Sequence, residues 1–145
     1  MRARPLAELM GAFFRVELVQ MTGHFLREGV DPAAAGPDDY VVEIRPRETH
    51  RRVEGLAEAH LIRFLCPLCF EQNGGAAGTH MVIVPFANRG CPTVPMRNRA
   101  GDPVWWQVAG TGLHDLVLTP SVQLLGGCNW HGFVGSSGIA PGHAG

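Results

Sequence analysis

Two short pairs of side chains are the most chemically pointed feature of the sequence: Cys66 and Cys69 in Cys66-Pro-Leu-Cys69, and Cys128 and His131 in Cys128-Asn-Trp-His131. Two soft ligands separated by two residues can share one ion while the backbone between them turns, and Pro67 presets φ for such a turn. Two pairs of this kind supply four ligands, the number that closes a tetrahedral zinc site of structural type. The expected ligand set is therefore Cys66, Cys69, Cys128 and His131, holding Zn2+. The fourth place has competitors, since His80 in Gly78-Thr-His80 and Cys91 in Gly90-Cys-Pro92 could each replace His131. Cys91 stands in a proline-rich stretch and reads as a free thiol. C-x-x-C pairs also serve redox chemistry, but the strand leading directly into a helix that marks thioredoxin-like motifs is not expected here.

Serine is scarce, with only Ser121, Ser136 and Ser137 in the chain. The last two sit between glycines in an ordinary turn. Ser121 follows Thr119-Pro120 where an apolar strand is interrupted, and an edge or bulge there would expose its hydroxyl; a kink without chemistry is the plain alternative. A serine nucleophile needs a base, and the base needs an orienting partner. With His131 assigned to the metal, the expected catalytic set is Ser121 with His80 as base and Asp115 as orienter. Glu58, Glu71 or Asp102 could instead serve an open catalytic zinc as general base, but four Cys and His ligands argue for a closed site. No Gly-x-Ser-x-Gly elbow is present.

These residues must be positioned by short strands. Leu6, Leu9, Met10 and Phe13 recur with helical spacing after Pro5, which predicts a short N-terminal helix. Phe14, Val16 and Leu18 alternate with charged residues as a strand does. Asp31 to Asp39 is a loop, Tyr40 to Arg45 a strand ended by Pro46, and Arg51 to Ala59 a short polar stretch compatible with helix. His60 to Leu65 and Met81 to Val84 form a hairpin with the first Cys pair at its tip. Gly90 to Pro103 is a loop; Val104 to Val108, Leu116 to Leu118 and Val122 to Leu125 are strands; Trp130 to Val134 pairs with Ile139 across the turn Gly135 to Gly138; Pro141 to Gly145 frays. The fold class is mainly β, an α+β domain with a short N-terminal helix and a small zinc-stabilised antiparallel sheet. Residues 1–59 pack on a zinc-binding core of residues 60–145, forming one domain overall.

The chain has 145 residues, 46% of them hydrophobic, enough for one core and too few for a second full domain. Nineteen Gly and eleven Pro are scattered among apolar runs, as turns are. A formal net charge of −1 disfavours nucleic acid as a partner, although Arg45, Arg47, Arg51 and Arg52, then Arg89, Arg97 and Arg99, form local basic clusters. All twelve basic residues are Arg; codon bias accounts for this, and a chain without Lys also offers no side-chain amine to a ubiquitin-like conjugation system. Without an uninterrupted apolar core before Arg15 and Glu17, and without a stretch of ~20 apolar residues, neither a secretory signal nor a membrane span is expected. A cytoplasmic location is expected.

The run Phe64-Leu-Cys-Pro-Leu-Cys-Phe70 with Asn73-Gly-Gly75, then Gly78-Thr-His80, Asp115-Leu-Val-Leu-Thr-Pro-Ser-Val122 and Gly127-Cys-Asn-Trp-His-Gly-Phe-Val134, resembles a family of small bacterial and phage zinc-binding proteins. Phage members often carry the label "ammonia monooxygenase", which nothing in these residues supports. Relatives of the BubE type, encoded with bacterial ubiquitin-like conjugation genes, are regarded as serine peptidases. The resemblance implies Ser121 as nucleophile beside a zinc-stabilised sheet, and a ubiquitin-like protein or its conjugates as substrate. The chain departs from the operon-encoded pattern in its first sixty residues and in the segment from Gly74 to Gly101. A non-enzymatic zinc module that binds a protein, such as a phage structural component, is the alternative.

Overall fold

Among the described residues, short apolar runs broken by Gly and Pro fold as antiparallel strands, with one short α-helix. The computed structural model describes residues 3–87, 89–93, 96–124, 127–136, 138–139 and 143–144. The expectations for Leu125, Ser137 and Pro141 lie outside the described residues. Two compact units divide the chain: one comprises Met1–Val16 with His50–Gly145, the other Glu17–Thr49. This division falls elsewhere than at residue 59, because the first sixteen residues belong with the part that carries the Cys pairs.

In the larger unit, Leu6–Leu9 is a 3-10 helix and not a longer α-helix. Met10 adopts a left-handed conformation with φ 55°, and Gly11 follows where a Cβ would come within 2.8 Å of the Leu6 carbonyl oxygen. The helix therefore closes after one turn, and Phe13 already lies in strand β1, Ala12–Leu26. The first residues of β1 pair antiparallel with β3, Leu61–Leu65, which pairs in turn with β4, Met81–Pro85. Between β3 and β4 lies α1, Pro67–Asn73, started by Pro67 and ended by Gly74 at φ 69°. A strand does therefore run straight into a helix at the Cys pair, contrary to the sequence expectation; Pro67 suits a helix's first position as well as it suits a turn.

The rest of this unit is built from short strands: β5, Gln107–Ala109; β6, Val117–Thr119; β7, Val122–Gln123; β8, Trp130–Gly132; β9, Val134–Gly135; β10, Gly138–Ile139; and β11, His143–Ala144. They pair antiparallel as β5 with β6, β7 with β8, β8 with β11 and β9 with β10. The core between these strands and the β3–β4 pair is apolar, and Trp130, fully buried, meets the Phe64 ring edge-on at 6.1 Å. Such an aromatic pair adds about 0.5–1.5 kcal/mol beyond its area burial. His60, also buried, accepts a hydrogen bond from the Val16 amide at 2.9 Å on Nδ1.

In the smaller unit the distal part of β1 and the start of β2, Tyr40–Val53, are the arms of a hairpin. Arg27 N donates to Asp39 O at 2.7 Å where the arms meet the loop, and the Asp39 carboxylate accepts from Gly36 N. The Phe25 ring lies back over Gly23, where a Cβ would come within 2.9 Å of it, and the Arg45 guanidinium stacks on that ring at 3.6 Å. β2 runs through Pro46 to Val53, although Pro46 was expected to end it. Among the described residues its only strand neighbour is β1, and a proline in an edge strand forfeits no ladder bond when its nitrogen faces outward. Arg51 to Val53 is consequently strand, and the helical turn shrinks to a 3-10 segment, Leu56–Glu58.

Candidate functional site

Hairpin register assembles a cluster of Cys and His side chains. Leu65 pairs with Met81, so the next residues out, Cys66 and His80, also face one another, and Cys66 N donates to His80 O at 2.9 Å. Cys69 lies one turn along α1, and Cys128 comes from the turn before β8. One ligand atom from each of Cys66, Cys69, His80 and Cys128 lies within 4.8 Å of the others, a group that can hold a metal ion such as zinc. Cys66 Sγ is 3.7 Å from Cys128 Sγ, and His80 Nε2 is 3.3 Å from the same sulfur. Three thiolates and an imidazole are a zinc-type donor set.

The thiols of this group differ. Burial pushes the Cys66 thiol up to about 12 and also raises Cys69. At Cys128 burial acts in the same direction, but hydrogen bonds from His80, the Trp130 amide and the two other thiols outweigh it and hold the thiol down at about 7. Cys128 is thus the ready thiolate, and a cation is what would draw the other two into that form.

His131, assigned to the metal from its spacing, is placed differently. Asn129 turns the chain at φ 53°, Trp130 enters the core, and strand alternation sends His131 the opposite way. There it faces Gln123 of β7 in register, and its Nε2 is 2.8 Å from Ser121 Oγ. The two histidines have exchanged places relative to the sequence reading, with His80 among the sulfurs and His131 on the serine.

Ser121 sits between β6 and β7, after the cis Thr119–Pro120 bond. Its carbonyl oxygen accepts from Trp106 Nε1 at 3.2 Å, an anchor that no spacing in the sequence signals. A cleft of about 630 Å³ opens there; Ser121, Pro120, Trp106 and Leu124 line it, and so do His80 and Cys128 of the Cys–His cluster. One cavity therefore borders both the serine and the cysteine cluster.

Asp115 is taken up locally. Its carboxylate accepts from Thr111 N, Thr111 Oγ1 and Gly112 N, each at 2.9 Å. Those bonds, led by the Thr111 amide, hold its carboxyl down at about 2. Gly110, at φ 113°, completes this turn, since a Cβ there would lie 2.6 Å from the Asp115 carbonyl oxygen. The structure thus gives Asp115 a turn-holding role between β5 and β6. Cys91 donates to Thr93 O at 3.1 Å and stands outside the metal-binding group. Glu71 pairs with Arg4 at 2.8 Å.

No protein-family model, curated protein or solved structure matches this chain. Among the described residues, no helix is long and apolar enough to cross a membrane.

Proposed function

We propose that this chain is a zinc-stabilised serine hydrolase that cleaves peptide or isopeptide bonds, with Ser121 as nucleophile, His131 as base, and Cys66, Cys69, His80 and Cys128 holding a structural Zn2+. The observation that carries the reading is the 2.8 Å approach of His131 Nε2 to the Oγ of Ser121, a residue that lines an open cleft. A serine hydroxyl within hydrogen-bond reach of an imidazole is the minimal activated nucleophile. In the tautomer that leaves Nε2 unprotonated, His131 accepts the hydroxyl proton as Oγ bonds to the substrate carbonyl carbon. The same proton then passes to the leaving amine as the C–N bond breaks, leaving an ester on Ser121. Water, losing a proton to His131, attacks that ester, and as the bond to Oγ breaks the imidazolium returns the proton to Ser121 and the acid leaves.

Zinc supports this chemistry from outside it. Four Cys and His ligands leave no open position for water, so the ion's contribution is to tie β3, β4 and the turn before β8 together. His131 lies three residues beyond Cys128, and the tie sets where β8 begins. The family resemblance adds a ubiquitin-like protein or its conjugate as the proposed substrate, in the cytoplasm.

A fluorophosphonate probe tests the reading on folded, zinc-loaded protein. Wild type is expected to label, Ser121→Ala not at all, and His131→Ala about 10²–10⁴ times more slowly. A folded, zinc-loaded wild type that resists the probe would sink the enzyme reading and leave a zinc-dependent protein-binding module.

A further inference from the structure

We propose that Glu17–Thr49 is a self-association element, in which the outer edge of β2 pairs antiparallel with β2 of a second copy about a twofold axis at Val42. The exposed large apolar side chains concentrate in this unit: Tyr40, Val42 and Ile44 are 43%, 61% and 68% exposed, and Leu18, Val19 and Met21 add to them. Exposed apolar residues on an edge strand are what evolution removes unless something covers them.

Strand direction and pleat fix which backbone groups are available. Asp39 C=O bonds toward β1, accepting from Arg27 N. With a period of two, Val41, Glu43 and Arg45 turn their peptide groups toward β1, and Tyr40, Val42 and Ile44 turn theirs outward. A twofold at Val42 then sets Val42 opposite Val42 of the second copy and Tyr40 opposite its Ile44, each as a hydrogen-bonded pair. The apolar side chains of the two copies meet on one face of the extended sheet.

Charge and proline select this register. On the opposite face the twofold brings Asp39 of one copy, whose carboxylate also accepts from Gly36 N, opposite Arg45 of the other, which already pairs with Glu43 at 2.9 Å, so that acid and base alternate across the seam at the positions where side chains approach most closely. Pro46, which has no N–H, falls just past the last bonded pair and ends the ladder. A register centred on Ile44 would put Pro46 opposite Val42 and lose one donor on each side. The pairing is self-complementary, as a twofold interface must be. Its small size places the dimer among weak, concentration-dependent associations.

The experiment is sedimentation velocity on the full chain under reducing conditions, across a wide concentration range, together with amide exchange by NMR at the two extremes. Dimer should grow with concentration, and the Tyr40, Val42 and Ile44 amides should slow at high concentration while those of Val41, Glu43 and Arg45 stay unchanged. Val42→Lys puts two ammonium groups opposite each other and is expected to raise the dissociation constant at least about tenfold. A chain monomeric throughout the range overturns the proposal, as does a dimer that Val42→Lys leaves intact. Should that variant misfold, the wild-type exchange pattern still decides, because protection elsewhere with Val42 unchanged places the interface on another surface.

Discussion

In β8 the period of two buries Trp130 and turns His131 toward β7, so Cys128 and His131, three residues apart, face different neighbours, and the proposed function gives them different tasks. Substitution should separate those tasks. His80→Ala is expected to weaken zinc binding, read by a chromogenic chelator competition, whereas His131→Ala should hold zinc as wild type does and lose only the labelling of Ser121. The three cysteines of the group were named from C-x-x-C and C-x-x-H spacing, although the partner that this spacing offered to Cys128, His131, lies on Ser121 instead. The roles of the histidines were not legible, because C-x-x-H and C-x-x-C look equivalent in sequence while only strand alternation and hairpin register tell them apart. The needed signal was present: once β3 and β4 are read as a hairpin, Cys66 and His80 fall opposite one another. Asp115 was misread for a related reason, as an acidic residue near a candidate site is indistinguishable in sequence from one that caps a turn. Its carboxyl, held at about 2 in the fold against about 4 in an unfolded chain, stabilises the folded state above pH ~4, and that contribution disappears as the pH falls through about 2. The melting-temperature gap between wild type and Asp115→Ala should therefore be steady above pH ~4 and close between there and about pH 2.

At the scale of elements, glycine and proline meant different things at different places. Pro46 looked like a strand terminator because a central strand cannot spare its N–H, but sequence does not say which strands are edges. The β3–β4 hairpin was legible for the opposite reason: two apolar runs bracket a glycine-rich return, and both faces of β3 are buried. The long arms of β1 and β2 were legible only in part, because their exposed apolar residues break the alternation that a half-buried strand shows. The link between Arg4 and β10 lacks any sequence signal, though it closes one end of the larger unit. Arg4 and Ile139 exchange backbone hydrogen bonds at 2.8 Å in both directions. Gly138 makes this approach feasible, since at φ 106° a Cβ would overlap the Arg4 carbonyl oxygen. Gly138→Ala combines that overlap with left-handed strain and is expected to cost on the order of 2–4 kcal/mol in denaturant unfolding. Ala substitution at Gly135, where an added Cβ meets nothing within 4 Å, should cost far less.

For the molecule as a whole, the cysteine cluster bridges chain segments that secondary structure alone joins weakly. Cys66, Cys69 and His80 belong to one hairpin, while Cys128 belongs to β7–β8, a ladder of very short strands. Short ladders contribute few hydrogen bonds, so the proposed zinc cross-link, closing a loop of about sixty residues, would remove much of the freedom those strands otherwise regain. Proton release reports how that cross-link forms. With burial holding Cys66 near 12 and Cys69 also raised, both thiols are protonated at pH 8, whereas Cys128, at about 7, is mostly thiolate. Zinc takes thiolates, so loading the apo-protein at pH 8 should release roughly two protons, read by calorimetry in buffers of different ionisation enthalpy. At pH 6, where Cys128 is also protonated, more protons should leave than at pH 8 and the apparent affinity should fall. Strong chelator is then expected to lower the melting temperature and abolish probe labelling of Ser121 together, because His131 follows Cys128 by three residues. Labelling that survives complete zinc removal would show that β7 and β8 hold the Ser121–His131 contact by packing alone, through buried Val122 and Trp130, and would confine the ion to a role in stability.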